Sequence, residues 1–474
     1  MDKIKINFNM PQKEKSLNNA NITYNFDCKF GELEKGMGIQ SFKVCYDGVN
    51  EKTFVVDSNI QKILKCFFYD YYDTSSNQTY GLFLFYVQKT NDSFAFYYAF
   101  FETLFNELRE VNNLTFSKEP LAIKLYVNEK SYMLFVPTTL NDTAILWTNT
   151  SSATYGNVPI SIDACFYDGK LYAIPKDNPH RIFVTSNQSP ETLITSQFNG
   201  DYLDFQDGLG NFVALRLLNG ALYAIREYGI TKISSTNCGE NFSYKTITHN
   251  FLNIQKNTIC VCNDKIFMLF QDGLYAFDGM DFEKKILGIE EQITSDNTKA
   301  CADFINGIYY LALKLNDVSA ESEMPCLGMN NNSIISLNED GKIMILRGVS
   351  SKHICAFGYK NNQKVLICFD DENAKNLGEI CYNGKIFINA TPKLWETQNV
   401  HFSNGENVIK SLSLSGNGTF QIKIFVDEKT FVYNVLLSKI NKKINVCQKG
   451  RKFGFCFKSS SQDAQICDAV LEVL

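Results

Sequence analysis

One phrase recurs along this chain and limits what it can fold into: an apolar run, a two-residue turn of Asn, Asp or Gly, then a second apolar run rich in Tyr, Phe and Ile. Its turns fall at Asp168-Gly169, Asn219-Gly220, Asn263-Asp264, Asn306-Gly307 and Asn361-Asn362, with a weaker copy at Asn128-Glu129. A two-residue hairpin turn holds its central residues at positive φ, which Asn, Asp and Gly tolerate and β-branched residues do not. The flanking runs therefore predict antiparallel strand pairs. From turn to turn the spacings are 40, 51, 44, 43 and 55 residues, close to the length of one four-stranded propeller blade. Second hairpins follow at Asp272-Gly273, Asp340-Gly341 and Asn383-Gly384, as four strands per blade require.

The expected fold is all-β: a β-propeller of about seven four-stranded blades over residues 36–394, followed by a C-terminal β-sandwich over 395–474, with an N-terminal arm over 1–35. Ring closure has a physical motive. A lone blade exposes two apolar faces, and closure gives each blade two neighbours to cover them. The aromatic content, 14% with 38 Phe and 24 Tyr, suits pleated, half-buried surfaces. Strand-like segments at 41–46, 53–56, 63–69 and 81–88 supply the early blades through less regular turns, at Asp47-Gly48 and around 73–78. Residues 101–111 read either as a short helix, with Leu104, Leu108 and Val111 at helical spacing, or as a blade strand and loop. After Trp395 the strands lengthen and alternate, as in Thr419 to Val426 and Lys429 to Leu437, which predicts one buried and one wet face.

Composition narrows the functional classes. Net charge is −5 with scattered Lys and Arg. No basic stripe of the kind a sequence-independent duplex binder carries is present, although a local patch could line a channel. The 15 cysteines sit mostly inside apolar runs, and Met-Asp-Lys-Ile-Lys at the start contains no apolar signal core. The expectation is reduced thiols acting as small hydrophobes, in a protein without a secretory signal. Cys260 and Cys262 are too close for a structural zinc pair, and no apolar run reaches the length of a membrane span.

A search for catalytic, cofactor or metal residues returns none. His180, His249, His353 and His401 lie far apart, without metal-binding spacing. Nucleophile elbows and phosphate loops are missing. Asp207-Gly-Leu-Gly210 reads as a turn, and Asp370-Asp371-Glu372 as a solvated loop without calcium-loop spacing. Ser235-x-Asn237-x-Gly239-x-x-Phe242 resembles one degenerate Asp-box of sialidase-type propellers, where such boxes are structural turns. A glycosidase would also need two carboxylates at a defined separation.

Two stretches carry a family resemblance. His180 to Ser186, Ser189-Pro190, Gly208 to Asn211 and the Asn219-Gly220 hairpin ending in Tyr228-Gly229-Ile230 resemble a run in phage tail propeller proteins. Trp395, Phe402, Lys410 to Leu414, Ile422 to Asp427 and Lys449-Gly450-Arg451 to Phe455 are similar to the sandwich that follows the propeller in those proteins. The polar N-terminus, through Gly31-Glu32-Leu33-Glu34 to Gly36-Met-Gly38, resembles the segment that precedes their first blade.

The resemblance implies a non-enzymatic virion protein of the bacteriophage tail or head-to-tail connector, a nozzle, hub or plug. It would be assembled in the bacterial cytoplasm, without cofactors, as a homo-oligomeric ring contacting other tail proteins. DNA could pass through the channel of such an assembly without sequence-specific binding. Two alternatives stand beside it: a carbohydrate- or receptor-binding propeller, including a glycosidase, and a cellular protein-interaction scaffold. Clustered carboxylates and aromatics at the channel mouth would favour the glycan reading.

Overall fold

The computed structural model describes residues 2–12, 16–45, 51–53, 56–73, 76–101, 108–112, 114–127, 130–148, 152–155, 158–185, 200–205, 207–236, 241–248, 253–316, 330–359, 362–382, 392–401 and 405–474. Seven four-stranded antiparallel sheets follow one another and form a seven-bladed β-propeller. Their inner strands are Ile60–Asp73, Leu121–Val127, Ser161–Tyr167, Phe212–Leu218, Cys260–Cys262, Cys301–Ile305 and Ser351–Tyr359 in blades 1 to 7. The ring closes where the inner strand of blade 7 packs on that of blade 1. Between successive blades lies an apolar core, such as Tyr172, Val184 and Phe212 between blades 3 and 4. At the closing junction Ile63, Phe83 and Phe85 meet Cys355, Phe357 and Leu366.

The repeated phrase folds as its turn chemistry dictates. Asp168-Gly169, Asn219-Gly220 and Asn306-Gly307 each place both residues at positive φ, between 47° and 73°. Two expected turns differ from the structure. Phe270 pairs with Gly273, so the turn is Gln271-Asp272, and Tyr359 pairs with Asn362, while Asn361 lies outside the described residues. In both cases the residue expected in the turn starts the next strand. Residues 94–101 form a blade strand, Arg109–Glu110 a short outer one, and 102–107 lie outside the described residues. The expected turns at Asn128-Glu129 and Asn383-Gly384 also lie outside them.

The last blade is completed from the other end of the chain. Gly38–Ser41 pairs with Leu377–Cys381 as its outer strand, and Ile39 is fully buried there. The chain's N-terminal residues are thus shared between both bodies. Asp2–Lys5, Ile22–Tyr24, Phe26–Lys29 and Glu32–Lys35 all join the 11-stranded C-terminal sheet.

That sheet folds into two layers through the 20-residue strand Asn407–Val426. Its first half pairs with Lys442–Gly450 and Gln465–Val473, its second with Lys429–Ser438 and Lys452–Ser459. Phe26 stacks on Phe420 across the core, at 6.4 Å and an interplanar angle of 6°. Gly416 marks the pivot, where a Cβ would stand 2.1 Å from the Gln465 carbonyl oxygen. Because the obstacle is backbone, Gly416→Ala should lower stability by about 3 kcal/mol. Chemical denaturation tests this, and a change within about 0.5 kcal/mol would remove the pivot assignment.

Propeller and sandwich are joined along the outer strand of blade 6, Ile343–Arg347. Asn25, at φ 61°, donates its N–H to the Ile345 carbonyl (2.8 Å) and accepts from the Arg347 N–H (2.9 Å). Lys342 pairs with Asp27 at 2.7 Å. Ile22, Tyr24, Leu394 and Cys456 extend the apolar core between blades 5 and 6 into the second body.

Candidate functional site

All seven blades line one central cavity of about 800 Å³. Apart from Asp370, which follows the second strand of blade 7, its charged residues come from inner strands and the connections that lead into them, so the propeller's symmetry converges them. Alternation along each inner strand turns polar side chains to the channel and apolar ones to the blade interfaces.

Most of these groups bind a neighbouring blade. Asp163 of blade 3 accepts from the Leu215 N–H (2.9 Å) and from Arg216 Nη1 (2.8 Å), both in blade 4. Arg216 Nε in turn donates to the Ile259 carbonyl ahead of blade 5 (3.0 Å). Lys256 reaches back to the Ile162 carbonyl and stands 3.9 Å from Asp163. Asp303 of blade 6 accepts from the Ala356 N–H of blade 7 (2.7 Å) and from the Phe304 N–H (2.9 Å). His353 Nε2 of blade 7 lies 3.1 Å from the Cys66 carbonyl of blade 1, and Lys65 pairs with Glu119 at 2.6 Å. The channel charges are therefore a set of braces between blades.

Their titration follows from burial. Desolvation alone would raise the Glu119 carboxyl, but the Lys65 ammonium outweighs it and holds it below the usual range. Burial pushes Asp303 up to about 6 against its two N–H donors. Burial, reinforced by Lys65, pushes His353 down to about 3, so its imidazole is neutral near pH 7. Burial also lowers Lys256, and it raises the Cys301 thiol to about 12, which removes that thiol as a nucleophile.

The two channel groups oppose each other in acid. The His353 value lies below the ~6.5 of an unfolded imidazole, so its contribution is present above pH 6.5 and lost as pH falls toward 3. Asp303 lies above the ~3.8 of a free carboxyl, so its contribution is full below that value and lost as pH rises through about 6. His353→Gln, which keeps an N–H donor for the Cys66 carbonyl, should remove about 3 kcal/mol of the destabilisation between pH 6.5 and pH 4. Urea unfolding at both pH values measures this, and an unchanged pH slope would contradict it.

Residues singled out in the sequence fall into several places. Of the histidines, His353 alone enters the channel; His180 borders a smaller cavity and His401 is exposed in a short strand, while His249 lies outside the described residues. The smaller cavity, about 400 Å³, lies beside blades 3 and 4 and is lined by His180, Arg181, Asp204, Phe205 and Arg226. Arg226, 1% exposed, pairs with Asp207 at 2.6 Å, donates to the Gly210 carbonyl and faces the Phe212 ring at 4.7 Å. The Asp207-Gly-Leu-Gly210 turn, with both glycines at positive φ, thus cages a buried guanidinium. Asp371 caps its own turn by accepting from the Asn373 N–H at 2.7 Å, and Asp370 lines the central channel. Asn237 and Gly239 of the Asp-box-like stretch lie outside the described residues.

Carboxylates do gather in the channel, at Asp70, Glu119, Asp163, Asp303 and Asp370, but Asp70 pairs with Lys124 at 2.6 Å and the next three are engaged in the bonds given above. Among the described residues no His, Cys, Asp and Glu cluster could hold a metal ion, and no helix is long and apolar enough to cross a membrane. The described cysteines are free thiols. Sequence reasoning missed the channel braces because Asp163, Arg216, Lys256 and Asp303 are scattered over 141 positions. The available signal was a charged residue on an otherwise apolar inner strand.

By its sheets the chain is a seven-bladed β-propeller carrying a two-layered β body. No protein-family model matches it and no curated protein resembles it in sequence. Solved structures similar to it include BamB from Moraxella catarrhalis, at 8% identity and TM-score 0.35, covering 72% of this chain and 97% of that one. A chain of a Saccharomyces cerevisiae assembly of Dbp5 with Nup159, Gle1, IP6 and ADP matches at 9% identity and TM-score 0.35, covering 73% and 91%. The uncharacterized protein lmo1340 from Listeria monocytogenes matches at 10% identity and TM-score 0.34, covering 66% and 90%.

Proposed function

We propose that this protein is a non-enzymatic structural component of a bacteriophage tail or head-to-tail connector, working through protein–protein contacts in a homo-oligomeric ring. The observation that carries the reading is the outer edge of the C-terminal body. Lys429–Ser438 pairs with Asn407–Val426 on one side, and no described strand pairs with its other side. On its outward face Val432 is 52% and Leu436 66% exposed, with Ile440 just beyond at 74%. An open, apolar strand edge is a template for adding another strand. The braced channel supports the non-enzymatic part, because Glu119, Asp163 and Asp303 are occupied in holding blades in place.

The test is the oligomeric state of the purified protein, by light scattering and electron microscopy, alone and with tail components from the same source. A ring of defined symmetry, free or formed on its partner, is expected. Val432→Glu combined with Leu436→Glu should leave monomer stability within about 0.5 kcal/mol of the parent and weaken assembly. A strict monomer that ignores those components and binds a glycan or peptide would overturn the reading.

A further inference from the structure

After the braces are assigned, one set of channel charges remains unassigned. Lys65 answers Glu119, Lys124 answers Asp70, Arg216 answers Asp163, and Asp303 holds two backbone N–H groups. Three lysines of the lining, Lys256, Lys299 and Lys352, then face a single further carboxylate, Asp370. Among the described residues, Lys299 and Lys352 form no ion pair, and Lys256 reaches only a carbonyl and the edge of the Asp163–Arg216 pair.

The three approach from different blades. Lys256 leads into blade 5, Lys299 leads into blade 6, and Lys352 is the second residue of the inner strand of blade 7. They stand toward the mouth at which inner strands begin. Lys299 and Lys352 are held close together: Asn331 Nδ2 donates to the carbonyls of Lys299 (2.7 Å) and Ser351 (2.9 Å), and Cys301 Sγ donates to the Lys352 carbonyl (3.6 Å).

A second observation points to a ligand. Ser351 is fully buried, borders the same cavity, and its hydroxyl oxygen has no hydrogen-bond partner. A buried hydroxyl without a partner is costly, and one on the wall of this cavity is an unused donor that an oxyanion would satisfy. Burial lowers Lys256 from the usual lysine value, so a bound anion would relieve an existing desolvation cost.

We infer that the blade 5–7 side of the channel mouth binds a phosphate-type oxyanion, held by Lys256, Lys299 and Lys352 with the Ser351 hydroxyl as a further donor. A diphosphate fits the requirement for several ammonium contacts and is small against a cavity of about 800 Å³. Nucleotides carry the same group. The site is independent of the assembly proposed above, since it lies inside one propeller.

The probe is pyrophosphate, titrated calorimetrically into the full-length protein at constant ionic strength, with ATP as a parallel arm and sodium chloride as the control. Saturable pyrophosphate binding is expected, and Lys299→Gln combined with Lys352→Gln should weaken it by at least about tenfold. Both side chains are exposed, so the melting temperature without ligand should not move. Ser351→Ala gives a second variant that leaves the charges in place and should weaken binding by a smaller factor. Equal or tighter binding of ATP would identify the source as a nucleotide, and binding of pyrophosphate alone an inorganic ion. No binding, binding abolished equally by chloride, or binding unchanged in the double-lysine variant would overturn the assignment.

Discussion

A chain shortened by residues 2–41 should yield no cooperatively unfolding protein, and circular dichroism melts of the purified fragment would lack a sharp transition. Two structural losses coincide in that deletion. Blade 7 loses its fourth strand, Gly38–Ser41, and with it the fully buried Ile39. The C-terminal sheet loses Ile22–Tyr24, Phe26–Lys29 and Glu32–Lys35, whose Phe26 and Leu33 lie in its core. A milder substitution separates the two effects. Ile39→Ala touches only the propeller closure and should cost about 2–5 kcal/mol, the range for removing a large buried aliphatic side chain. A stable, cooperative truncated chain would mean that neither body depends on these strands.

The second large effect is expected at Asp163. Its carboxylate is the common partner of the Leu215 N–H and of Arg216, with Lys256 close by. Asp163→Asn keeps one acceptor and removes the charge, leaving two half-buried cations uncompensated in the channel wall. Removing one member of such a pair costs about 3–5 kcal/mol, because the remaining charge keeps its desolvation cost. Arg216→Met in the same chain should recover part of the loss, and the double-mutant cycle measures that coupling. If Asp163→Asn unfolds within about 0.5 kcal/mol of the parent, the channel charges do not brace the blades.

Local chemistry made the blades readable in advance. Asp168-Gly169, Asn219-Gly220 and Asn306-Gly307 are turns whatever surrounds them, because few other residue pairs accept positive φ twice in succession. Gln271-Asp272 shows the limit: Gly273 follows an Asp, yet register with Phe270 moves it into the strand. Long-range pairing was not readable. Nothing in Gly38-Ile39-Gln40-Ser41 indicates Leu377–Cys381 as its partner, since any short apolar strand could complete a blade. Similarly, Asn25 looks like one of many asparagines in a polar N-terminus, and its role depends on Arg347, 322 positions away. The channel stayed hidden for the same reason. Lys65, Asp163, Arg216 and Lys256 acquire meaning only when circular closure puts distant inner strands side by side.

The pairing of the chain's opening strands with its last third has a consequence for synthesis. Residues 22–41 leave the ribosome long before the strands that cover them, and 336 residues separate position 41 from position 377. At typical elongation speeds that interval lasts roughly 20–70 s. Throughout it Phe26, Leu33 and Ile39, all buried in the finished fold, lack the C-terminal strands that cover them. The nascent chain must therefore carry an apolar leading segment while six blades form behind it, and holdase chaperones or slowed growth should raise the yield of correctly closed rings.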